Sequence, residues 1–511
     1  MRNPVLPMVV LGSVKNRQII RLLPLIFTAF CCSSGFAQLS HHYIISRLDV
    51  IGSEHIAGEV ILSNFKTKVG DTLNEVLLAN DIESLISKYT DLGFAFATGT
   101  IERLQPLDSG HIAVRLRISE GMFAKLTSCR VEGISQTDTD VIRREFFIPA
   151  HPIATNDLLV AAAGRLRQSG LFANVSEPTL YKINDSSVGV SLSVQEVRTT
   201  SIDGVLGYNP SPIGGTGSYI NGFLDLAFLN IGGTARQAAF RYQRLTAVTS
   251  DLSFRYIEPW LFALPIDGAI SVTRHDEDSL YVSTHLELSF AIHSLSSVTI
   301  SANGAYDYVT PGISHSVDAS HTLSGELLFS FDERDNPIAP TDGYKISLGA
   351  RYGAKSITDS LGYNTTVGIR TFIADAETAV AVAPRLVGFL ALSAREVDSK
   401  ALELSDLFRI GGLLSLRGYR DASFYVSRYA IARIEPRFMF STRSYMGIFT
   451  DIGYLEQAEY LSVPFHKWSA VGYGISFLFE TQIGYLQAAV ALARGVPLDA
   501  AVLHFGIKTA L

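Results

Sequence analysis

The chain has 511 residues, 47% of them hydrophobic, with a mean hydropathy of +0.23 and a formal net charge of −7. No stretch offers the roughly 18 uncharged apolar residues of a membrane-spanning helix, so this hydropathy is spread through alternating segments, the pattern a membrane β-barrel needs. The acidic balance argues against nucleic acid as a partner.

Arg2, Lys15, Arg17 and Arg21 lead into the apolar stretch Leu22 to Cys32, and Gly35-Phe36-Ala37 offers a small-x-small cleavage site. That order predicts an export signal over residues 1–37. Its removal takes away four basic residues and no acids, leaving 38 basic against 49 acidic and a net charge of −11. Cys129 is then the sole cysteine, so no intrachain disulfide can form.

A repeat follows. "ISRLDVIGSEHIAGEVILSNF" reads as a strand, a turn at Gly52 and an amphipathic helix; "LTSCRVEGISQTDTDVIRREFF" repeats this with its turn at Gly133. A second helix comes next in each, Asn74–Leu92 and Asn156–Ser169, ending at Gly93 and Gly170, where glycine suits a helix C-terminus. Two alternating strands close each unit: about Ala95–Leu104 and His111–Ser119 in the first, Leu171–Leu180 and Val188–Glu196 in the second. The spacing predicts two α+β modules of order β-α-α-β-β, over residues 43–120 and 121–198.

From about Thr199 the helical period gives way to strict alternation over 199–511. Leu323, Leu327, Phe329 and Phe331 share one face of their segment, and Ser324, Glu326, Ser330 and Asp332 the other. A soluble sandwich shows the same alternation. The length of the segments, the oily face on nearly every one and the export signal favour a membrane barrel. Sixteen candidate strands fit, an even number as bacterial barrels require. Short turns such as Phe440–Ser444 alternate with longer loops such as Leu455–Lys467, and the short ones face the periplasm. By that phase the loop "FRIGGLLSLRGYRDASFY", Phe408–Tyr425, is the longest outer loop, between strands eleven and twelve.

Arg417 in that loop is either solvated or folded inward against acids. Alternation puts Glu435 opposite Ile434 and Phe438, and Asp451 opposite Met446, Ile448 and Ile452, so both point inward from neighbouring strands. One guanidinium can bind two carboxylates at once. No catalytic, cofactor-binding or metal-ligating set stands out.

The chain resembles the BamA/TamA outer-membrane assembly family of the bacterial surface antigen type, with the two-partner-secretion transporters as a sister family. "LRGY" at Leu416–Tyr419 resembles the family's loop motif, carried here by Arg417, Gly418 and Tyr419. "FDERDNPIAPTDGY" at Phe331–Tyr344 resembles its periplasmic turn, with Asp332, Arg334, Asp335, Pro340 and Gly343. "FTDIGY" at Phe449–Tyr454 and "LHFGI" at Leu503–Ile507 resemble its late strands, and the two repeats resemble POTRA domains. The resemblance implies two POTRA modules before a 16-stranded antiparallel transmembrane β-barrel in the bacterial outer membrane, with the modules in the periplasm. It implies that the loop folds into the barrel, with Asp451 and Glu435 as lumen partners of Arg417, and that the barrel opens between its first and last strands.

Two modules are fewer than the three or five of the best-known assembly factors. The first strand begins about six residues past the expected cleavage, which leaves no room for the plug helix of the secretion transporters. The chain ends in Leu511 where family members commonly end in Phe. The implied role is a non-enzymatic factor that assembles, inserts or translocates proteins, its partners being unfolded outer-membrane or secreted client polypeptides, outer-membrane lipid and accessory periplasmic proteins, without cofactor. The alternatives are a pore exporting one dedicated exoprotein and, from a different class, a passive porin. A weak seam is expected at Ser201–Tyr208 against Ala500–Leu511, because glycine at 204 and 207 weakens the first strand.

Overall fold

A computed structural model describes residues 8–10, 43–108, 110–123, 125–147, 152–209, 219–244, 249–277, 280–295, 297–314, 317–359, 361–459, 464–481 and 484–508. The chain forms two compact units, described here one at a time. The expected leader falls almost wholly outside the described residues. Its described part, β1 (Met8–Val10), pairs antiparallel with the edge of β3.

The first module runs β2 (Ile44–Ile51), α1 (Gly58–Asn64), α2 (Glu75–Asp91), β3 (Thr98–Asp108), β4 (His111–Ser119). β4 is central, parallel to β2 and antiparallel to β3. Helix α2 starts where Asn74 caps the amide of Leu77 at 3.1 Å. Its apolar stripe, Leu78, Ile82, Leu85, Ile86 and Tyr89, meets Ile45, Leu48, Val114 and Leu116 in one core. Each such side chain, fully buried, contributes about 1.5–3 kcal/mol.

The second module repeats the order: β5 (Lys125–Glu132), α3 (Thr139–Phe146), α4 (Asn156–Gln168), β6 (Phe172–Val175), β7 (Thr179–Lys182), β8 (Ser187–Glu196). β5 runs parallel to β8, as β2 does to β4. The strand expected over Leu171–Leu180 is instead two short ones, β6 and β7, both paired with β8. Pro178 lies in the break, and a residue without N–H cannot extend the ladder.

One device recurs. Gly52 and Gly133 both have positive φ, +82° and +88°, and a Cβ would lie 2.3 Å from the carbonyl oxygen of Ile118 in one and 2.0 Å from that of Val194 in the other. The turn after each glycine is held by a glutamate, Glu120 just after β4 and Glu196 at the end of β8. Glu120 Oε1 accepts the amides of Glu54 and His55 at 2.6 and 2.8 Å. Glu196 accepts those of Ser135 at 2.9 Å and Thr137 at 2.7 Å.

The other unit is built on one antiparallel sheet of sixteen strands. In chain order they are β9 (Thr200–Asn209), β10 (Tyr219–Ile231), β11 (Arg236–Arg244), β12 (Thr249–Glu258), β13 (Ile266–Glu277), β14 (Tyr281–Leu295), β15 (Val298–Pro311) and β16 (Ala319–Asp332). Then come β17 (Gly343–Thr358), β18 (Asn364–Ala383), β19 (Leu386–Ser399), β22 (Arg428–Ser441), β23 (Ser444–Gln457), β24 (His466–Thr481), β25 (Gly484–Ala493) and β26 (Val502–Lys508). Two short strands, β20 (Phe408–Ile410) and β21 (Phe424–Val426), make a hairpin inside the loop between β19 and β22.

Each of the sixteen pairs with the next in this order, and among the described residues no pairing joins β9 to β26. The last strand begins at Val502, later than the expected Ala500, because Leu498–Ala500 forms a 3₁₀ turn. Residues 509–511 lie outside the described residues. Leu323, Leu327 and Phe329 are exposed on the outer face of β16, while Ser324 and Glu326 are buried on the inner face. This is the apolar-out, polar-in order of a lipid-embedded barrel.

Candidate functional site

The loop between β19 and β22 is shaped by glycine. Gly411 and Gly412 have φ of +125° and +93°, and a Cβ on Gly411 would stand 2.2 Å from the Arg420 carbonyl oxygen. Ser415 Oγ donates to the Gly411 carbonyl at 2.8 Å and accepts its amide at 2.9 Å, which closes the turn. Leu416, fully buried, packs with Ile410, Val426, Ile431, Leu455 and Ala470. The loop thus buries an apolar side chain against the barrel wall immediately before its arginine.

Arg417 is 1% exposed. Its Nε and Nη2 donate to Asp451 Oδ2 and Oδ1 at 2.9 and 2.7 Å, a two-pronged fork. Its Nη1 donates to Glu435 Oε2 at 2.6 Å, and its backbone amide to Asp451 Oδ2 at 3.1 Å. The guanidinium lies 3.5 Å above the ring of Phe449. Such a stack suits arginine, whose flat, weakly hydrated head tolerates an aromatic face.

Asp451 and Glu435 are themselves fully buried, so their charges depend on their partners. Glu435 Oε1 also accepts from Arg437 Nε at 3.0 Å. Asp451 Oδ1 accepts from Arg433 Nε at 3.3 Å, and Arg433 Nη2 reaches the Ser415 carbonyl at 3.2 Å. Arg437 stacks between Phe389 and Tyr445 at 3.5 and 4.4 Å. Three arginines therefore face two carboxylates. Arg433 and Arg437 lie on the same inward phase as Glu435, so alternation could have flagged them as members of the cluster; Phe449 shares that phase with Asp451.

Gly418 has φ +92°, and a Cβ there would lie 2.6 Å from the Leu492 carbonyl oxygen. Its amide donates to His504 Nε2 of β26 at 3.3 Å. Opposite, a Cβ on Gly472 would lie 1.7 Å from the Arg417 carbonyl oxygen, so the wall is notched where the loop docks. Tyr419 donates to the Val471 carbonyl at 3.4 Å and meets Phe424 edge-on, ring centroids 5.1 Å apart.

The turn between β16 and β17 is a second arginine cluster. Arg334 Nε and Nη2 donate to Asp332 at 2.9 and 2.6 Å, Nη1 donates to the Pro337 carbonyl at 3.0 Å, and Nη1 also reaches Glu377 of β18. Asp335 accepts the amides of Thr341 and Asp342 at 2.8 and 3.1 Å. Pro340 is buried. Gly343 has φ +96°, and a Cβ would lie 2.2 Å from the Glu333 carbonyl oxygen.

Sequence reasoning missed the two glutamates that hold the module turns. Burial works against the charged form of Glu120, but hydrogen bonds from His55 and Glu54 overcome it and hold the carboxyl at about 2. For Glu196, burial is likewise overcome by bonds from Ser135, Thr137 and Gln136, again to about 2. The signal was available in the repeat, since each module carries a glycine after its first strand and a glutamate after or at the end of its last.

Residues 230–507 match the Omp85 superfamily domain, and residues 43–121 match the surface antigen variable number repeat, the POTRA domain. Among solved structures the chain is similar to BamA from Haemophilus ducreyi lacking POTRA domains 1–3, with a TM-score of 0.51 and 14% identity over 91% of this chain and 98% of that one. It is similar to CdiB from Escherichia coli, with a TM-score of 0.53 and 14% identity over 93% and 92%. CdiB from Acinetobacter baumannii follows at 0.52 and 11%, over 96% and 95%. At these identities the likeness is one of fold. No curated protein matches the sequence. With one family model spanning more than half of its length, the chain belongs to the Omp85 superfamily, as a non-enzymatic bacterial outer-membrane protein with POTRA structure on its periplasmic side.

Proposed function

We propose that this protein assembles client polypeptides into the outer membrane, taking them from the periplasm through two POTRA modules, 43–120 and 121–198, and passing them at the junction of β9 and β26. The observation that carries this reading is the sheet's two free edges: among the described residues β9 and β26 make no bonds to each other. Among the described residues β26 is the shortest strand of the sheet, at seven residues. An unpaired edge offers a row of backbone donors and acceptors to an extended client strand. Gly204 lies within β9, where it weakens the strand. The loop carrying Arg417 supports the same route, because a loop docked on the inner wall obstructs threading through the lumen. In this reading Arg417 is the residue that keeps the loop there, and the Arg334 turn fixes the periplasmic rim.

Depletion of the protein in its own bacterium, followed by quantitative comparison of outer-membrane and secreted proteins, tests this. Assembly predicts that several barrel proteins fall together. Loss of one secreted exoprotein with barrels intact would replace it with dedicated export.

A further inference from the structure

The loop is held at two places besides Arg417. At its base the 3₁₀ turn Leu404–Asp406 is closed by a reciprocal cap, with the Glu403 amide donating to Asp406 Oδ2 at 2.8 Å. Both carboxylates then meet one cation: Lys355 Nζ of β17 lies 2.6 Å from Glu403 Oε2 and 2.6 Å from Asp406 Oδ2. Lys355 is 1% exposed, so this ammonium is held wholly by the loop's acids. Glu403 Oε1 also accepts the amide of Asp318, from the loop between β15 and β16, at 2.7 Å. Leu404 packs on the buried cluster of Tyr281, Val309 and Val317.

Further along, Arg409 of β20 pairs with Glu277 of β13 at 3.2 Å and contacts the ring of His275. His275 is buried between Asp251 and Glu277, each at 2.6 Å. Counted along the sheet, the loop is tied to the fifth strand by Arg409, the ninth by Lys355, and the twelfth and thirteenth by Arg417. It reaches the fourteenth by Tyr419 and the sixteenth by the Gly418 amide. A segment fastened to strands in both halves of a barrel crosses its lumen.

We infer that Lys355 and Arg409 are positioning residues that brace loop 400–427 against the ninth and fifth strands, adding two anchors to the one at Arg417. With all three cations in place the loop is held across the lumen at the fifth, ninth, twelfth and thirteenth strands. Removing Lys355 leaves two carboxylates buried beside each other without a counter-charge, and moving the loop base into water relieves them.

The test uses the full-length protein in proteoliposomes and planar bilayers, reading the rate at which external protease cuts the loop and the size of the conductance steps. Neither reading involves a client, so failure of the assembly proposal leaves this test intact. Lys355→Met is expected to raise the cleavage rate about tenfold, ~1.4 kcal/mol less restraint, and to enlarge the conductance steps. Combining it with Glu403→Gln and Asp406→Asn removes the buried charge and is expected to recover most of the loss. A folded Lys355→Met protein with unchanged cleavage and conductance overturns the inference, as does a triple variant no better than the single one. If Lys355→Met does not fold, Arg409→Ala is measured in the same way. A smaller rise supports the brace and wild-type behaviour refutes it.

Discussion

Arg417 and Arg334 both carry a guanidinium between two carboxylates, yet they hold different things. Arg334 reaches Asp332, two residues away, and Glu377 on a nearby strand, and those acids keep 31% and 27% of their side-chain exposure. Arg417 reaches across 18 and 34 residues to Glu435 and Asp451, which keep 1% and 0%. The first arrangement shapes a turn whose ends are already joined by the chain. The second joins a long loop to the wall, and the entropy of ordering that loop is met largely at one dry cluster. The same chemistry therefore carries more of the fold where its partners are remote and buried.

Arg417→Ala should produce the larger loss. Breaking a buried pair costs about 3–5 kcal/mol, and here three arginines share the acids, so the lower end applies. External protease should cut loop 400–427 in the variant while both α+β modules stay folded. Arg417→Lys should also release the loop, because a point charge cannot reproduce the fork on Asp451. If Arg417→Lys were as resistant as the parent, charge alone would hold the loop. Gly472→Ala tests the docking notch without touching any charge. A Cβ 1.7 Å from the Arg417 carbonyl oxygen forces the loop outward, and overpacking of this kind costs about 1–3 kcal/mol. The same protease assay reads it.

Arg334→Ala should cost less, about 1–2 kcal/mol, because water can solvate both acids it leaves. The readout is the temperature at which the barrel loses its heat-modifiable band on gels. A drop as large as that of Arg417→Ala would erase the distinction between local and remote clusters. Smallest is the acid response of the modules. Glu120 and Glu196 are held at about 2, below the ordinary glutamate value of 4.5. Their folded values are depressed, so their contribution is present above about 4.5 and is lost as pH falls toward about 2. Hydrogen exchange at the amides of Glu54, His55, Ser135 and Thr137, corrected for intrinsic rate, should speed up across that window, and Glu120→Gln should remove the response at the first pair alone.

Much of this architecture was legible because a strand has period two. Alternation alone assigns Glu435 and Asp451 to the inner face, and the phase of short and long connections assigns Arg417 to an outer loop. Lys355 was not legible in that way. On the pattern it is one more inward lysine, like Lys345, and its partners Glu403 and Asp406 sit 48 and 51 residues away in a loop that has no period. Arg409 and His275 are 134 residues apart. Curvature of the sheet brings such groups together, and no local spacing reports it. The break at Pro178 is readable from the missing N–H, although the flanking residues on both sides alternate.

If the proposed function holds, a client strand meets the protein at the edge of β9 rather than inside the lumen. Ile202 of β9 is 67% exposed on the outer face, and Ser347 of β17 is buried on the inner wall. A photo-crosslinking amino acid placed at each position, activated while outer-membrane proteins are being made, reports which one touches the client. Adducts with barrel proteins are expected at position 202 and none at 347. Adducts at 347 without any at 202 would contradict that reading and place the polypeptide in the lumen.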